Sequence, residues 1–268
     1  MDSDRLGMIG EALNYIEAHL EDAIALEDVA RAAHYSRYHL HRAFSGALGM
    51  ALCRYVRRRL TEAARRLVYA RTPLSSLALA AGYQSQQAFT DAFRAMYKMP
   101  PAEYRRLGAY YPLQLPIFLH PEAPLSGVRA AEADDIPAWM ALLGQVVDGY
   151  PHLNEAEHLA WLKARMAREE ALILCCGSWA AGAVGFRSDA GCVDFLGVHP
   201  QYRTLDLSVQ LLRAVRQRLP ARRELSLTTY RERDPADPGY RREWMRLGFR
   251  EGELLVEFGY PTQRMIWG

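Results

Sequence analysis

Apolar and small residues of the first hundred positions occur in two similar copies. Four positions recur 48 residues later: Leu26, Ala30, Ala33 and Tyr35 correspond to Leu74, Ala78, Ala81 and Tyr83. Four more recur 49 residues later: Ser36, Leu40, Ala43 and Phe44 correspond to Ser85, Phe89, Ala92 and Phe93. The helical spacing within each copy predicts a short helix, a tight corner and a longer helix.

Residue types at the corner of each copy favour two helices that meet closely. Alanines stand where the helices would touch, and Gly82 suits a corner that needs a positive φ. Ser36 and Ser85 precede the longer helices, where a serine hydroxyl accepts a hydrogen bond from a backbone N–H of the first turn. Each copy therefore predicts a helix-turn-helix unit, a motif whose second helix enters the major groove of DNA.

The outward faces of the two longer helices carry the candidate DNA-binding residues. In the first copy these are Ser36, Arg37, Tyr38, His41 and Arg42. In the second copy they are Ser85, Gln86, Gln87, Thr90 and Arg94. Arginine pairs with guanine and glutamine with adenine through two hydrogen bonds. A helical bundle with solvated polar faces would also show one such copy, whereas two copies in one register favour DNA recognition.

The segment between the copies predicts a single connecting helix. Its apolar stripe consists of Leu52, Val56, Leu60, Ala63 and Leu67. A rigid helix here would hold the two units at a fixed separation, about one DNA turn or 34 Å. Its other faces carry arginines that are available for phosphates or are simply solvated: Arg54, Arg57, Arg58, Arg65 and Arg66.

Residues from about 8 to 107 resemble the DNA-binding domain of the AraC/XylS family. Besides the repeated positions, the matching residues are Gly49, Tyr55, Arg59, Leu60, Ala63, Gly82, Pro101, Tyr104 and Arg105. The resemblance implies a seven-helix domain that binds an asymmetric site on double-stranded DNA in a transcription regulator. It also implies a second domain that senses a small molecule or a partner, with RNA polymerase and a second copy of the chain as further candidate partners.

Composition and charge agree with a two-domain protein that binds nucleic acid. The chain has 268 residues, and residues 1–110 hold fifteen Arg or Lys against eleven Asp or Glu. We expect domains over 1–108 and 128–268, joined by a proline-rich linker over 109–127 that is apolar enough to pack on one domain or both. No apolar run is long enough to span a membrane, and the acidic N-terminus is unlike a signal peptide, so we expect a cytoplasmic protein. The four cysteines have no metal-ligand spacing, and no metal site is expected.

After the linker, strands alternate with helices, which predicts an α/β or α+β domain with a mixed sheet flanked by helices. Residues 171–188 predict two strands joined near Trp179 to Ala181, and residues 192–200 predict a third. A helix over Leu207 to Arg218, a strand over 224–230 and a helix over 240–248 follow. Residues 254–267 predict one final strand.

This part of the chain, about 127–268, resembles the GNAT superfamily of N-acetyltransferases. The resemblance depends on residues 195–203, the helix after them, and Leu247-Gly248-Phe249. It implies that a glycine-containing turn at a helix N-terminus binds the pyrophosphate of acetyl-CoA, here through Val198, Arg203, Thr204, Leu205, Asp206, Leu207 and Ser208. Asp206 and Ser208 occupy the glycine positions. Asp206 would place a negative charge beside phosphate oxygens, or it could serve the following helix as an N-terminal residue.

Catalytic residues of that family are only partly matched. A tyrosine often lies four residues before the glycine of the Leu-Gly-Phe motif, and that position is Trp244. Tyr240 and Tyr230 are possible substitutes as proton donors. Asp194 could act as a general base or as an ordinary carboxylate at a strand edge. Aromatic residues that could line a pocket, or belong to the core, are Tyr150, His152, Trp161, Tyr230 and Tyr240.

Three hypotheses follow for the second domain. It could sense a small ligand or partner without catalysis and need no cofactor, or it could be an active acetyl-CoA-dependent N-acetyltransferase attached to a DNA-binding domain. It could also serve only for dimerisation. The departures at Asp206 and Trp244 favour the sensor.

Overall fold

Helices make up the N-terminal part of the protein, and a sheet with flanking helices makes up the remainder. The computed structural model describes residues 3–22, 24–121, 123–146, 154–221, 223–237, 239–257 and 259–268. The chain divides into two units, one formed mainly by residues up to Leu119 and the other mainly by residues from His120 onward. The fold class expected from the sequence is confirmed in both units.

The first unit contains eight helical segments within its described residues. They are α1 (Ser3–Ala18), α2 (Leu26–Ala32), α3 (Arg37–Leu48), α4 (Leu52–Tyr55), α5 (Arg58–Tyr69), α6 (Leu74–Ala80), α7 (Gln86–Tyr97) and α8 (Pro101–Leu107). The first helix-turn-helix unit is α2–α3 and the second is α6–α7. Both copies predicted from the repeat are therefore present, at the positions that the spacing indicated.

The prediction of a single helix between the two copies is wrong in one respect. A joint at Val56 and Arg57 separates α4 from α5. Backbone hydrogen bonds at the joint span three residues, from Arg59 N to Val56 O (3.2 Å) and from Leu60 N to Arg57 O (2.8 Å), as in the tighter 3₁₀ turn. The apolar stripe continues through both pieces and stays buried, so the pattern of hydrophobic residues did not reveal the interruption.

Within its described residues, the second unit is a seven-stranded mixed sheet with helices on both faces. Its strands are β1 (Arg129–Ala130), β2 (Ala171–Cys176), β3 (Trp179–Arg187), β4 (Cys192–Val198), β5 (Leu225–Tyr230), β6 (Arg250–Glu257) and β7 (Tyr260–Trp267), in the order β1-β2-β3-β4-β5-β7-β6. Its helices are α9 (Ile136–Val146), α10 (Glu155–Met166), α11 (Leu207–Arg218) and α12 (Tyr240–Arg246).

The second unit has three layers, the sheet and the helices on each of its faces. Alternating residues of the central strands explain this arrangement. On β2, Leu172 and Leu174 belong to a core cluster with α11, while Ala171 and Ile173 belong to a cluster with α9 and α10. Because successive side chains of a strand point to opposite faces, a strand buried on both faces reads as a continuous apolar run. That is the pattern of residues 171–176.

Two strand boundaries differ from the prediction. The turn between β2 and β3 lies at Gly177 and Ser178 rather than near Trp179 to Ala181. The C-terminal segment is an antiparallel hairpin of β6 and β7 rather than one final strand. Gly259 has a φ of 77° just before β7, a conformation that glycine adopts readily, so it permits the tight reversal.

The sheet opens between its two parallel neighbours. All described strand pairs are antiparallel except β4 and β5, whose pairing is limited to Cys192 with Ser226 at the N-terminal ends of the strands. Beyond that point β4 pairs only with β3, up to Val198. The C-terminal ends of β4 and β5 therefore diverge, and the turn after β4 leads into α11 beside this opening.

The connection between the two units has little regular structure, yet it is partly buried. Within the first unit, Tyr111, Leu113, Gln114 and Ile117 are all buried. Within the second unit, the backbone N–H of His120 donates to Oε1 of Gln201 (2.7 Å), and Nε2 of Gln201 donates to the carbonyl of His120 (2.8 Å). The connection is thus a packed segment rather than a free tether.

Candidate nucleic-acid interface and ligand turn

The corner of each helix-turn-helix unit has the same hydrogen-bond pattern. His34 N donates to Arg31 O and Tyr35 N to Ala30 O, both at 3.0 Å. Gly82 N and Tyr83 N make the equivalent bonds to Leu79 O and Ala78 O, both at 2.9 Å. This is the Schellman pattern that ends a helix through a left-handed residue. The left-handed position is Gly82 (φ 71°) in the second copy, as the sequence predicted, and His34 (φ 59°) in the first.

The second helix of each unit is capped as the sequence predicted. Ser36 Oγ accepts from His39 N (3.3 Å), and Ser85 Oγ accepts from Ala88 N (3.1 Å). Both helices, α3 and α7, are twelve residues long, and each ends in a left-handed residue, Gly49 or Lys98. The repeat in the sequence is therefore a repeat of backbone geometry over the whole helix-turn-helix.

Burial fixes which face of each helix is available to DNA. Leu40, Ala43 and Phe44 of α3 are buried, as are Phe89 and Phe93 of α7, while Ala92 is half-buried. All ten candidate DNA-binding residues lie on the remaining surface, nine of them exposed and Thr90 partly so: Ser36, Arg37, Tyr38, His41, Arg42, Ser85, Gln86, Gln87, Thr90 and Arg94. The structure thus places each set along one helix, at its N-terminal half in particular.

Several of these side chains have partners inside the protein. Arg37 Nη1 lies 2.5 Å from Glu27 Oε1 on α2, and this guanidinium holds the pKa of the Glu27 carboxyl below its usual range. The Arg42 guanidinium lies 5.6 Å from the centre of the Tyr38 ring. In the second copy, Gln87 Nε2 donates to Asp91 Oδ1 (3.0 Å). The sequence carries no signal for the role of Glu27, because its partner is ten residues away and on another helix.

Arginines of the connecting helices are less available to phosphates than the sequence suggested. Arg58 is half-buried, and it donates to Glu17 Oε1 (2.5 Å) and to the carbonyl of Gln114 (3.1 Å). Arg65 pairs with Glu62 on its own helix, and Arg66 with Glu21. Arg58 in particular is a structural residue of the first unit, since its charge is satisfied within the unit.

The turn after β4 retains the backbone conformation of a glycine turn without the glycine. Residues Pro200–Leu205 form a 3₁₀ turn, and Asp206 follows with φ 52° and ψ 28°, immediately before α11. A left-handed residue with a Cβ costs about 1–2 kcal/mol, which aspartate tolerates better than most residues. Its side chain does not cap α11. Instead, its carboxylate pairs with Arg246 Nη2 of α12 at 2.7 Å.

A second carboxylate lies at the start of α11. Ser208, in the first turn of α11, is buried and its hydroxyl donates to Glu243 Oε1 of α12. Burial raises the pKa of Glu243, an effect opposed by the Ser208 hydrogen bond and by Arg203 and Arg246. The side chains of Val198 and Leu207 belong to the hydrophobic core. Thr204 and Leu205 are exposed.

The two candidate catalytic residues have separate partners. Asp194 is the extra residue of a bulge in β4, and its carboxylate accepts hydrogen bonds from Arg187 of β3 at 2.9–3.2 Å. The same carboxylate also accepts from Cys192 Sγ (3.6 Å), so Asp194 is held by residues of β3 and of its own strand. The Tyr240 hydroxyl accepts from Arg203 Nη2 at 2.8 Å.

The aromatic residues considered for a pocket do not form one group. Trp161 packs with His158 and Phe195 on the face of the sheet covered by α9 and α10. Tyr240 stacks beside Trp244 on the opposite face, and Tyr230 contacts Tyr260. Tyr150 and His152 lie outside the described residues.

The part of the chain that the structure describes contains no candidate metal centre and no candidate membrane span. There, no three His, Cys, Asp or Glu residues are grouped so that they could hold a metal ion. No described helix combines the length and apolar character that crossing a bilayer requires.

Part of the first unit is similar to a known helix-turn-helix family. Residues 29–107 match the model of the helix-turn-helix domain family. The chain is 38% identical over 98 residues to the multiple antibiotic resistance protein MarA of Salmonella typhimurium. This match covers 36% of this chain and 77% of MarA.

Two further similarities cover different parts of the protein. The chain is 40% identical over 98 residues to the uncharacterized HTH-type transcriptional regulator YbfP of Bacillus subtilis. The match covers 36% of this chain and spans only 33% of the length of that relative. A solved structure of a GNAT family acetyltransferase from Bacillus cereus aligns over 54% of this chain and 97% of its own, with 13% identity and a TM-score of 0.42.

Proposed function

Since the chain belongs to the AraC-type helix-turn-helix family, we propose that it is a transcription regulator that binds double-stranded DNA through α3 and α7. The observation that carries this proposal is the identical construction of two reading helices. Each begins at a serine cap after a Schellman corner, and each presents a polar face. A structural bundle would not need the same corner, cap and exposed face twice.

The two reading helices differ in chemistry, which supports an asymmetric site. The face of α3 offers Arg37, His41 and Arg42, whereas that of α7 offers Gln86 and Gln87. Arginine reads guanine and glutamine reads adenine in the major groove. The two halves of the DNA site are thus expected to have different base compositions, about one helical turn apart.

For the second unit, we propose a sensor of a small ligand or protein partner that does not transfer acetyl groups. The observation that carries this part is the occupation of the α11 N-terminus by Glu243, with Asp206 next to it. A helix N-terminus attracts anions, and here the chain supplies its own. A pyrophosphate approaching this turn would meet two carboxylates, so the residues present do not fit acetyl-CoA. RNA polymerase and a second copy of the chain are the candidate protein partners.

Acetyl transfer is the second candidate function, and three observations favour it. The sheet opens between β4 and β5, and Asp206 keeps the left-handed backbone of a glycine turn. Arg246 and Arg203 partly offset the negative charge at the turn. This candidate requires that the Glu243 side chain leave the α11 N-terminus when the cofactor arrives.

Selection of DNA by the full-length protein tests the first proposal. The protein is incubated with a pool of random duplexes, the bound fraction is amplified, and affinities for the enriched site and for random DNA are then compared as a function of salt. Site-specific proteins commonly bind their sites about a thousandfold or more tighter than random DNA. Enrichment of a two-part site supports the proposal, and binding without sequence preference contradicts it.

Calorimetry with acetyl-CoA separates the two candidates for the second unit. We expect no heat of binding at micromolar concentrations for the natural protein. The double variant Asp206→Gly and Glu243→Gln removes both carboxylates and places a glycine at position 206, and binding by this variant alone would show that these side chains exclude the cofactor. Micromolar binding by the natural protein, or release of CoA with amine substrates, would favour acetyl transfer instead.

A further inference from the structure

The segment from Tyr111 to Ile117, here called the strap, is irregular in structure but buried in the first unit. Tyr111, Leu113, Gln114 and Ile117 are exposed by 7% or less. Connecting segments normally run over the surface, because buried irregular backbone leaves polar groups without partners. The strap therefore has a role in the packing of this unit beyond joining it to the next.

At its N-terminal end the strap is attached to the second helix-turn-helix and the helix that follows it. Tyr104 Oη of α8 accepts from the backbone N–H of Tyr111 (3.0 Å) and lies 3.3 Å from its carbonyl oxygen. Tyr97 Oη of α7 donates to the same carbonyl (3.4 Å). The rings of Tyr97 and Tyr104 also contact that of Tyr111, with centroids 5.6 and 5.4 Å away.

At its C-terminal end the strap holds the residues on both sides of the α4–α5 joint. Gln114 Nε2 donates to Arg54 O (3.4 Å) on one side, and Arg58 Nη1 on the other donates to Gln114 O (3.1 Å). The N–H of Ile117 donates to Tyr55 Oη (3.2 Å), which itself donates to Glu17 Oε1 (2.6 Å). Ile117 completes the core around the first helix-turn-helix.

These contacts join the two halves of the unit at the place where the connecting helix is interrupted. We propose that the strap is a positioning element that fixes α3 relative to α7, so that the protein accepts only one spacing between the two halves of its DNA site. Tyr55, Tyr104 and Gln114 are its positioning residues. The inference rests on the proposed DNA-binding function.

The geometry of DNA makes such a device consequential. Inserting one base pair moves one half-site by 3.4 Å and rotates it by about one tenth of a turn. A rigid pair of reading helices then loses the base contacts of one helix, each worth about 1–3 kcal/mol. A flexible pair can follow the displaced half-site and loses less.

The test uses the full-length double variant Tyr55→Phe and Tyr104→Phe, which keeps both rings and removes the hydroxyls that hold the two ends of the strap. Tyr69→Phe is the matched control, since this tyrosine of α5 is exposed and its ring contact is with Tyr110, outside the strap, and is kept by phenylalanine. Affinity is measured for the selected site and for the same site with one base pair inserted between its halves.

We expect the insertion to weaken binding by the natural protein and by Tyr69→Phe about tenfold or more, the equivalent of one lost base contact. In the double variant the native site is bound less tightly, and the penalty for the insertion is several times smaller. Equal loss of affinity on both sites, or no change on either, would overturn the proposal. If the double variant does not fold, Gln114→Ala is tested in the same way.

Hydrogen exchange measures the effect of the strap on the joint without using DNA. The amides of Arg59 and Leu60, which close the joint, should exchange faster in the double variant than in the natural protein and Tyr69→Phe. Unchanged protection there would overturn the strap proposal even if DNA binding is confirmed. Faster exchange in a protein that selects no DNA site would instead contradict the proposed function and leave the mechanical role of the strap supported.

Discussion

Arg37, the first residue of the first reading helix, forms an ion pair with Glu27 of the preceding helix, with 2.5 Å between Nη1 and Oε1. In the second copy the position equivalent to Glu27 is Ser75, so that reading helix has no such acidic neighbour at that position. The pair is well exposed, so breaking it costs little in water. Under the proposed function, Arg37 would exchange this carboxylate for a guanine as the helix enters the major groove.

Removing the acidic partner should strengthen DNA binding. In Glu27→Gln, Arg37 no longer has to leave a carboxylate, and we expect the selected site to bind up to about fivefold tighter, a small gain because exposed ion pairs contribute little in water. Filter binding or fluorescence anisotropy measures this. Glu11→Gln removes an equal charge from an exposed position of α1 and is the control. An equal gain in both variants would show that only net charge matters.

The two serine caps should contribute similarly to stability. Ser36→Ala and Ser85→Ala each remove the acceptor for a first-turn N–H, which typically costs about 1 kcal/mol. The measurement is urea unfolding of the full chain followed by helical circular dichroism. Ser75→Ala, at an exposed position within α6, should change the free energy of unfolding by a few tenths of a kcal/mol at most. A cap variant as stable as Ser75→Ala would refute the assignment of that cap.

The charge of Glu243 should make the second unit less stable at neutral pH. Burial raises the pKa of this carboxyl above 4.5, so the folded state disfavours its ionised form. The free energy of unfolding should fall as pH rises from about 4.5 through the raised pKa. Glu243→Gln should lose that fall and be at least as stable as the natural protein at neutral pH.

Tryptophan fluorescence isolates this effect, because all five tryptophans lie beyond residue 119: Trp139, Trp161, Trp179, Trp244 and Trp267. Denaturant unfolding is followed at several pH values. Glu232→Gln, at an exposed position beside Arg233, is the control and should keep the pH dependence of the natural protein. A Glu243→Gln profile parallel to that of the natural protein would contradict the assigned pKa direction.

Local signals account for what the sequence predicted well. The caps at Ser36 and Ser85 and the corner at Gly82 follow from hydrogen bonds and backbone angles within a few residues, and the two copies reinforce each other. The helix over Leu207 to Arg218 also has the boundaries that the sequence predicts. The break at Val56 and Arg57 was missed because burial, which sets the apolar pattern, is the same on both sides of it.

Features that depend on how distant parts of the chain pack together could not be predicted from the sequence. The proline-rich connection was expected to pack because it is apolar, but its attachment to Tyr55 and Tyr104 depends on how distant helices meet. The sequence identifies Asp206 as a misfit in a glycine turn, while its pairing with Arg246 and the approach of Glu243 to Ser208 depend on where α12 packs. The C-terminal hairpin differs from the single predicted strand although Gly259, a residue typical of tight reversals, stands at its turn.

The central claim is that two different helix faces read two separate parts of one DNA site. It is tested most directly by measuring the affinity of the natural protein, Arg37→Ala and Gln86→Ala for a set of sites in which every base pair is changed in turn. We predict that Arg37→Ala loses discrimination in one half of the site and Gln86→Ala in the other, about one helical turn away, each by about 1–3 kcal/mol at the base it contacts. A uniform loss of affinity at every position, equal to the loss on random DNA, would contradict the claim.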